Sequence, residues 1–180
     1  LAAGSASMAQ ATLLGSSPYL SSADSPFSPF SGFTYFHLES FEDHLLNTPG
    51  VTASAGGVTS VVFGPSVHDS VDADDGSIDG SGLGGDSFFS GSGGTGISFT
   101  FDASTLGGLP NAAGIVWTDG AGTISFEAFD ALNNSLGILT GNHADGSFNG
   151  ETAEDRFYGV TNPGGISRIH ISNSGGGIEV

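Results

Sequence analysis

Along much of this chain apolar and polar residues alternate with the period of two that marks a half-buried β-strand. Ile97, Phe99 and Phe101 share one face of a short run, and Ile124, Phe126 and Ala128 share one face of Thr123–Asp130. Glycine, proline and Asx residues separate such runs at intervals of roughly eight to twelve positions, the spacing of a β-sandwich. The same reading predicts strands at Tyr35–Phe41, Val58–Phe63, Phe88-Phe89, Arg156–Thr161, Ile166–Ser172 and Ile178–Val180. Ala113–Thr118 is continuously apolar and predicts a central strand buried on both faces. Asn133-Asn134 predicts a hairpin turn into Leu136–Leu139, and Asn162-Pro163-Gly164-Gly165 predicts a second turn. Helical turns are expected only at Ala103–Leu106 and Glu151–Asp155. No sequence repeat is present, which argues against a propeller or β-helix. The fold class expected is all-β, an antiparallel jelly-roll β-sandwich over residues 35–180 with an extended N-terminal arm.

Residues 12–34 carry Ser17-Pro18, Ser25-Pro26 and Ser28-Pro29, and proline opposes both helix and central-strand pairing. They read as an extended Ser/Pro-rich arm pinned to the domain through Tyr19, Phe27 and Phe30. Residues 1–11 are small and uncharged and end in Ala9-Gln10-Ala11, the pattern of a signal-peptidase site. They are expected to be the remnant of an export signal, against an ordinary terminus or an arm that pairs with a neighbouring subunit. Val180 lies inside an apparent strand, so the natural protein is expected to continue beyond it.

Charge changes the picture most. Nineteen acids face only Arg156 and Arg168, a formal net charge of −17 over 180 residues. Nucleic acid and anionic membrane both need a basic face and are excluded as partners on this ground. No stretch reaches the roughly 18 apolar residues that span a bilayer. The chain has no cysteine, which removes thiolate zinc sites, thiol nucleophiles and disulfides. A chain of this length suits one domain, burying roughly 70% of its unfolded surface.

The acids concentrate in Asp69–Asp86, DSVDADDGSIDGSGLGGD, where glycine and serine separate them. Like charges in a Gly-rich segment give a solvated loop unless a hard cation organises them. DADDGSID resembles an EF-hand loop, but with Gly76 as the turn glycine two ligand positions fall on Val71 and Ala73 and Gly82 replaces the bidentate Glu. The alternatives are an irregular Asp/Gly calcium loop and a plain acidic surface loop. In the first, Asp72, Asp74, Asp75 and Asp79, joined by Asp86, are the candidate ligands and calcium the expected cofactor.

FHLESFED, ISFTFDASTLGGLPNAAGIVWTDG, TISFEAFDALNNSLG, FYGVTNPGGISRIHISN and GGIEV, taken as an ordered set, resemble bacterial exported proteins of the PEP-CTERM sorting class. These carry a jelly-roll, galactose-binding-like domain. The resemblance covers about residues 35–180 and implies export to the cell surface or extracellular space. Similar modules often hold a structural calcium between the first and last strands. The matching positions are Glu39, Glu42 or Asp43 near the start and Glu179 at the end.

Catalytic patterns are absent: there is no G-x-S-x-G, no H-E-x-x-H and no nucleophile beside a base in sequence. His37 and His44 flank Glu42-Asp43 at a spacing that suits surface histidines better than a metal pair. Trp117 is either core or a sugar-stacking platform. Each arginine is expected to be tied to a carboxylate. The function expected is non-catalytic, a calcium-binding structural or adhesive component of the cell surface. The alternatives are a carbohydrate-binding module and a polymerising subunit whose arm donates a strand to the next copy. Candidate partners are a divalent cation, polysaccharide and copies of the chain itself.

Overall fold

The computed structural model describes residues 10–64 and 69–180. Residues 1–9, most of the expected signal remnant, lie outside them. The all-β, antiparallel expectation holds. Among the described residues ten strands form two unequal sheets, joined by two short α-helices, two 3-10 turns and loops.

The smaller sheet has the order β1-β9-β6, with β1 at Thr12–Pro18, β9 at Arg156–Thr161 and β6 at Ala112–Trp117. The larger is built around β10, Arg168–Glu179, the longest strand. Along one side of β10 runs β7, Asp119–Phe129, with β8, Ser135–Gly141, beyond it. Along the other side β10 pairs first with β5, Ile97–Phe101, and at its end with β4, Phe88–Ser90. Short outer strands β2, Val51–Ala53, and β3, Gly57–Val58, complete the sheet. A jelly roll divides eight strands between two sheets. The division here is three against seven, and the pairing defines the sandwich without singling out jelly-roll connectivity.

The predicted alternations fall where the core is. Ile97, Ile124, Phe126, Tyr158, Val160, Ile166 and Ile178 are fully enclosed, and Phe126 of β7 stacks on Tyr158 of β9 with centroids 6.1 Å apart, joining the two sheets. The two segments predicted as Ile166–Ser172 and Ile178–Val180 are one strand. Asn173, buried at the two register shifts of β10, donates from its amide to the carbonyls of Ala121 and Gly177 and carries the Gly-rich bulge.

Four expectations are corrected. The first part of the arm is a paired strand: β1 pairs antiparallel with β9, Leu14 opposite Gly159. Tyr19 and Phe27 then pack against Phe157 at 6.1 and 5.6 Å, as expected, and Phe30 stacks on Phe36, just past the arm. Tyr35–Phe41 is irregular rather than a strand. Val58–Phe63 becomes the end of β3 followed by a helical turn, α1, at Thr59–Phe63. Its cap comes from a distant residue: Asp86 Oδ1 accepts from the Ser60 amide at 2.9 Å, and Asp86 also accepts from the Ser60 and Thr59 hydroxyls. Ala103–Leu106 is helical as predicted, α2, capped by Asp102. Glu151–Asp155 is an irregular turn and not a helix.

Because Leu13 of β1 is part-buried against the core, Leu13→Ala should cost about 1–2 kcal/mol. That is a drop in Tm of about 3–6 °C by thermal melt. An unchanged Tm would mean that β1 contributes nothing to the domain.

Candidate metal centre

The acids of the Gly-rich loop do not converge on one another. Asp72 is buried, but its carboxylate is occupied: it accepts from the amides of Asp79 and Gly80 at 2.9 and 3.0 Å and from the Thr152 hydroxyl at 3.0 Å. Burial pushes its pKa up, and these hydrogen bonds outweigh burial and hold it below the usual carboxylate range. Asp75 accepts from the amide and hydroxyl of Ser77, and Asp79 is exposed beside them. Asp74 is half-buried, and its pKa is raised to about 7 by desolvation and by Glu42 and Asp75. Asp86 caps α1. Burial opposes its charge, yet the donors Ser60, His44 and Thr59 hold its pKa low.

Glu39 accepts from the amides of Asn47 and Thr48 at 3.0 and 2.9 Å, and Asp43 from that of Leu45 at 3.1 Å. Both acids organise the 39–48 turn. Trp117 is fully buried and offers no face to a sugar, which corrects its candidate role. The arginines are corrected too. Arg156 donates to the carbonyls of Ala153 and Asp155, and Arg168 lies 3.6 Å over the Phe129 ring while donating to Asn133 and Ser98.

A different set of acids does converge. Asp69, Asp119 and Glu154 each offer a carboxylate oxygen within 4.8 Å of the others'. Asp119 opens β7, Glu154 sits in the turn before β9, and Asp69 begins the acidic stretch. Glu179, the last residue of β10, stands directly opposite Asp119 in the β7–β10 ladder. Its Oε2 accepts from the Asp69 amide at 3.3 Å and the Ser87 hydroxyl at 2.9 Å. Glu179 is therefore the one sequence-derived ligand that lies at this centre. Like charges directly opposed across a ladder are destabilising, so this pairing needs a reason.

Burial sharpens the problem. Asp69 is 2% exposed and neither of its carboxylate oxygens has a hydrogen-bond partner. Glu154 is also buried, with Oε2 accepting from the Asp145 amide and Oε1 unpartnered. Neighbouring Asp155 is fully enclosed with both oxygens unpartnered. Desolvation, followed by the other acids, raises Asp69 and Asp155 to about 9 and Glu154 and Glu179 to about 7. For Glu154 and Glu179, accepted hydrogen bonds act against that rise. Desolvation also lifts Asp119 to about 6, against the lowering effect of the Gly120 amide. Buried polar groups are otherwise almost always hydrogen-bonded, so an orphaned carboxylate facing two others marks a place built for a bound cation or for protons.

The donor set is all oxygen. His143, whose pKa is driven down to about 4 by burial, is not among the converging groups: its Nε2 lies 2.7 Å from the Tyr158 hydroxyl and its ring packs against Trp117. An all-oxygen, carboxylate-rich, irregular site suits calcium, which takes six to eight oxygens at flexible angles. Sequence reasoning passed over Asp119 because it is a lone acid beside a predicted strand, and Glu154 because it falls in the expected helical turn Glu151–Asp155. The faint signals were Asp119-Gly120 and the adjacent pair Glu154-Asp155.

Folding also brings Ser60, His44 and Asp86 together. Both Ser60 Oγ, at 3.0 Å, and Asp86 Oδ2, at 2.6 Å, address the same ring atom, Nδ1 of His44. A nucleophile–base–acid relay needs the two imidazole nitrogens to serve different partners. The Ser60 hydroxyl also donates to Asp86 at 2.8 Å, so the trio is a cap for α1.

No helix among the described residues is long and apolar enough to cross a membrane. Comparison with protein-family models, curated proteins and solved structures finds no match, so function is argued from the site itself.

The raised pKa values fix the sign of the pH dependence. Folded carboxyls titrating at about 6 to about 9, against about 4 when unfolded, keep protons that the unfolded chain has lost. Their contribution is fully present below pH about 4 and is lost as pH rises through the folded values. In EDTA the Tm should fall steadily from pH about 5 to about 9. A flat or rising Tm over that interval would contradict the burial of these acids.

Proposed function

We propose that this protein is a non-catalytic β-sandwich that binds calcium in the Asp69, Asp119, Glu154 and Glu179 centre. In this reading it is exported and serves as a structural or adhesive component of the cell surface or extracellular matrix. The observation that carries the proposal is Asp69, buried with both carboxylate oxygens unpartnered and facing two further acids. Calcium supplies the missing partner, cancels the repulsion between β7 and β10, and ties the turn before β9 to the larger sheet. Because it binds the folded form, it stabilises by mass action, about 2.7 kcal/mol at a hundredfold excess over Kd. For a domain without disulfides that is a sizeable share of total stability. Export is supported by the resemblance of residues 35–180 to PEP-CTERM proteins and by calcium's availability outside cells.

Strand donation to a neighbouring copy is the weaker alternative, since β1 already pairs within its own domain. Sugar binding through Trp117 is set aside by the burial of that ring.

Calcium should raise the Tm of the EDTA-treated protein by about 5–10 °C. Terbium should give luminescence sensitised by Trp117, which lies two residues from Asp119 and is the chain's one tryptophan. Asp69→Asn should raise the metal-free Tm, because it removes a buried repulsion, and should abolish the calcium increment. Asp75→Ala, at an exposed acid away from the centre, should keep it. If calcium leaves the wild-type melt unmoved and calorimetry detects no binding, the proposal fails. If Asp75→Ala loses the increment while Asp69→Asn keeps it, the site is in the Gly-rich loop instead.

A further inference from the structure

The acidic centre is not sealed on all sides. A cavity of about 600 Å³ opens over it, and Asp69, Asp119 and Glu179 all contribute to its wall. Its remaining lining is of two kinds. One is aromatic: Phe63 at the end of α1, Phe89 of β4 and Phe148 of the 142–155 loop. Phe63 and Phe148 are 50% and 72% exposed, the two most open phenylalanine rings of the chain. Phe63 packs edge-on to Phe89 with centroids 4.7 Å apart, so these two rings form one fixed apolar wall. The other lining is bare backbone, from Gly120, Gly146, Gly176 and Gly177. A Cβ at Gly177 would lie 2.6 Å from the Phe89 ring, and one at Gly120 would lie 2.7 Å from the Asn173 amide oxygen. Side chains are excluded at those two positions, which leaves the backbone open towards the cavity.

We infer that this cavity is a saccharide-binding site in which the bound cation, held by Asp119 and Glu179, is chelated by a vicinal diol of a neutral sugar while Phe63, Phe89 and Phe148 pack on its C–H faces. The inference rests on the calcium reading above. Calcium needs six to eight oxygens, more than the three converging carboxylates of Asp69, Asp119 and Glu154 with neighbouring Glu179 supply by one oxygen each, so positions on the cavity side are open to outside oxygens. A vicinal diol presents two such oxygens on one chelating edge. Phenylalanine offers no hydrogen-bond group and suits the apolar face of a ring, while glycine backbone and the cation supply the polar contacts.

Charge selects the ligand. With a net charge of −17 and the nearest acids lining the cavity, an acidic peptide or anionic glycan is repelled on approach. A neutral polysaccharide is not. The second observation that separates this place from a mere cluster of acids is the carboxylate of Asp69, a residue of the cavity wall, buried with both oxygens unpartnered and within 4.8 Å of the Asp119 and Glu154 oxygens.

The test is affinity electrophoresis of the full chain through gels containing mannan, galactan or dextran, which together present cis and trans diols. Each gel is run with calcium and with EDTA. Retardation by at least one polysaccharide in calcium, lost in EDTA, is the expected result. Phe148→Ala should weaken retardation about tenfold while keeping the calcium-dependent Tm, since the ring is exposed and its loss does not disturb the core. Asp119→Asn should lose both. Calcium binding with no retardation by any of the three overturns this inference and leaves the calcium reading standing. Absence of calcium binding overturns both. Retardation equal in calcium and EDTA, or retained in full by Phe148→Ala, overturns the cation-centred site.

Discussion

Everything distinctive about this molecule follows from carboxylates enclosed with no arginine paired to them. Asp69, Glu154 and Asp155 are buried with unpartnered oxygens, and Glu179 faces Asp119 across the central ladder. In a medium of low effective dielectric such charges repel far more strongly than on a surface. Among the described residues no arginine pairs with these carboxylates, and the Arg156 charge only partly offsets the burial of Asp155. One arginine is bonded to backbone carbonyls and the other is stacked on Phe129. The remaining ways to hold these acids together are protons and an external cation, and the two compete for the same oxygens.

The backbone that imposes this arrangement is the bulged end of β10. Between Ile171 and Ile178 the strand passes through Gly175, Gly176 and Gly177, and the buried Asn173 amide replaces the ladder bonds lost there. Without the bulge the register would place Glu179 elsewhere on β7. With it, Glu179 meets Asp119 while Ile178 stays in the core. The same stretch of Gly-rich backbone lines the cavity above the acids. Strand register, acidic centre and cavity are thus consequences of one local irregularity.

The sandwich was legible in the sequence because period-two alternation reports directly on which face of a strand is buried. Ile97/Phe99 and Ile124/Phe126/Ala128 are core residues on the strands the pattern predicts. Val58–Phe63 misled because its β-branched residues suit a strand, while the helix there is capped by Asp86, more than twenty residues away. Residues 12–18 misled in the opposite sense, since a proline at the end of a segment is compatible with an edge strand. Of the acidic centre, Glu179 and the acidic stretch opening at Asp69 could be found. Asp119 and Glu154 could not, because only the pairing of β7 with β10 and the turn before β9 bring them together.

The contrast between the two groups of acids carries a physical lesson. Local density of carboxylates in the sequence drew the eye to Asp72–Asp79, yet those residues sit in a Gly-rich loop whose amides and hydroxyls satisfy them at short range. Asx-type bonding of this kind stabilises a turn and leaves few oxygens for a cation. The converging acids are served far less. Asp69 has no donor at either oxygen, Glu154 keeps Oε1 unpartnered, and Asp119 accepts from the Gly120 amide. Burial with oxygens left open, rather than crowding along the chain, is what sets Asp69 and Glu154, with Asp119 beside them, apart from the acids of the Gly-rich loop.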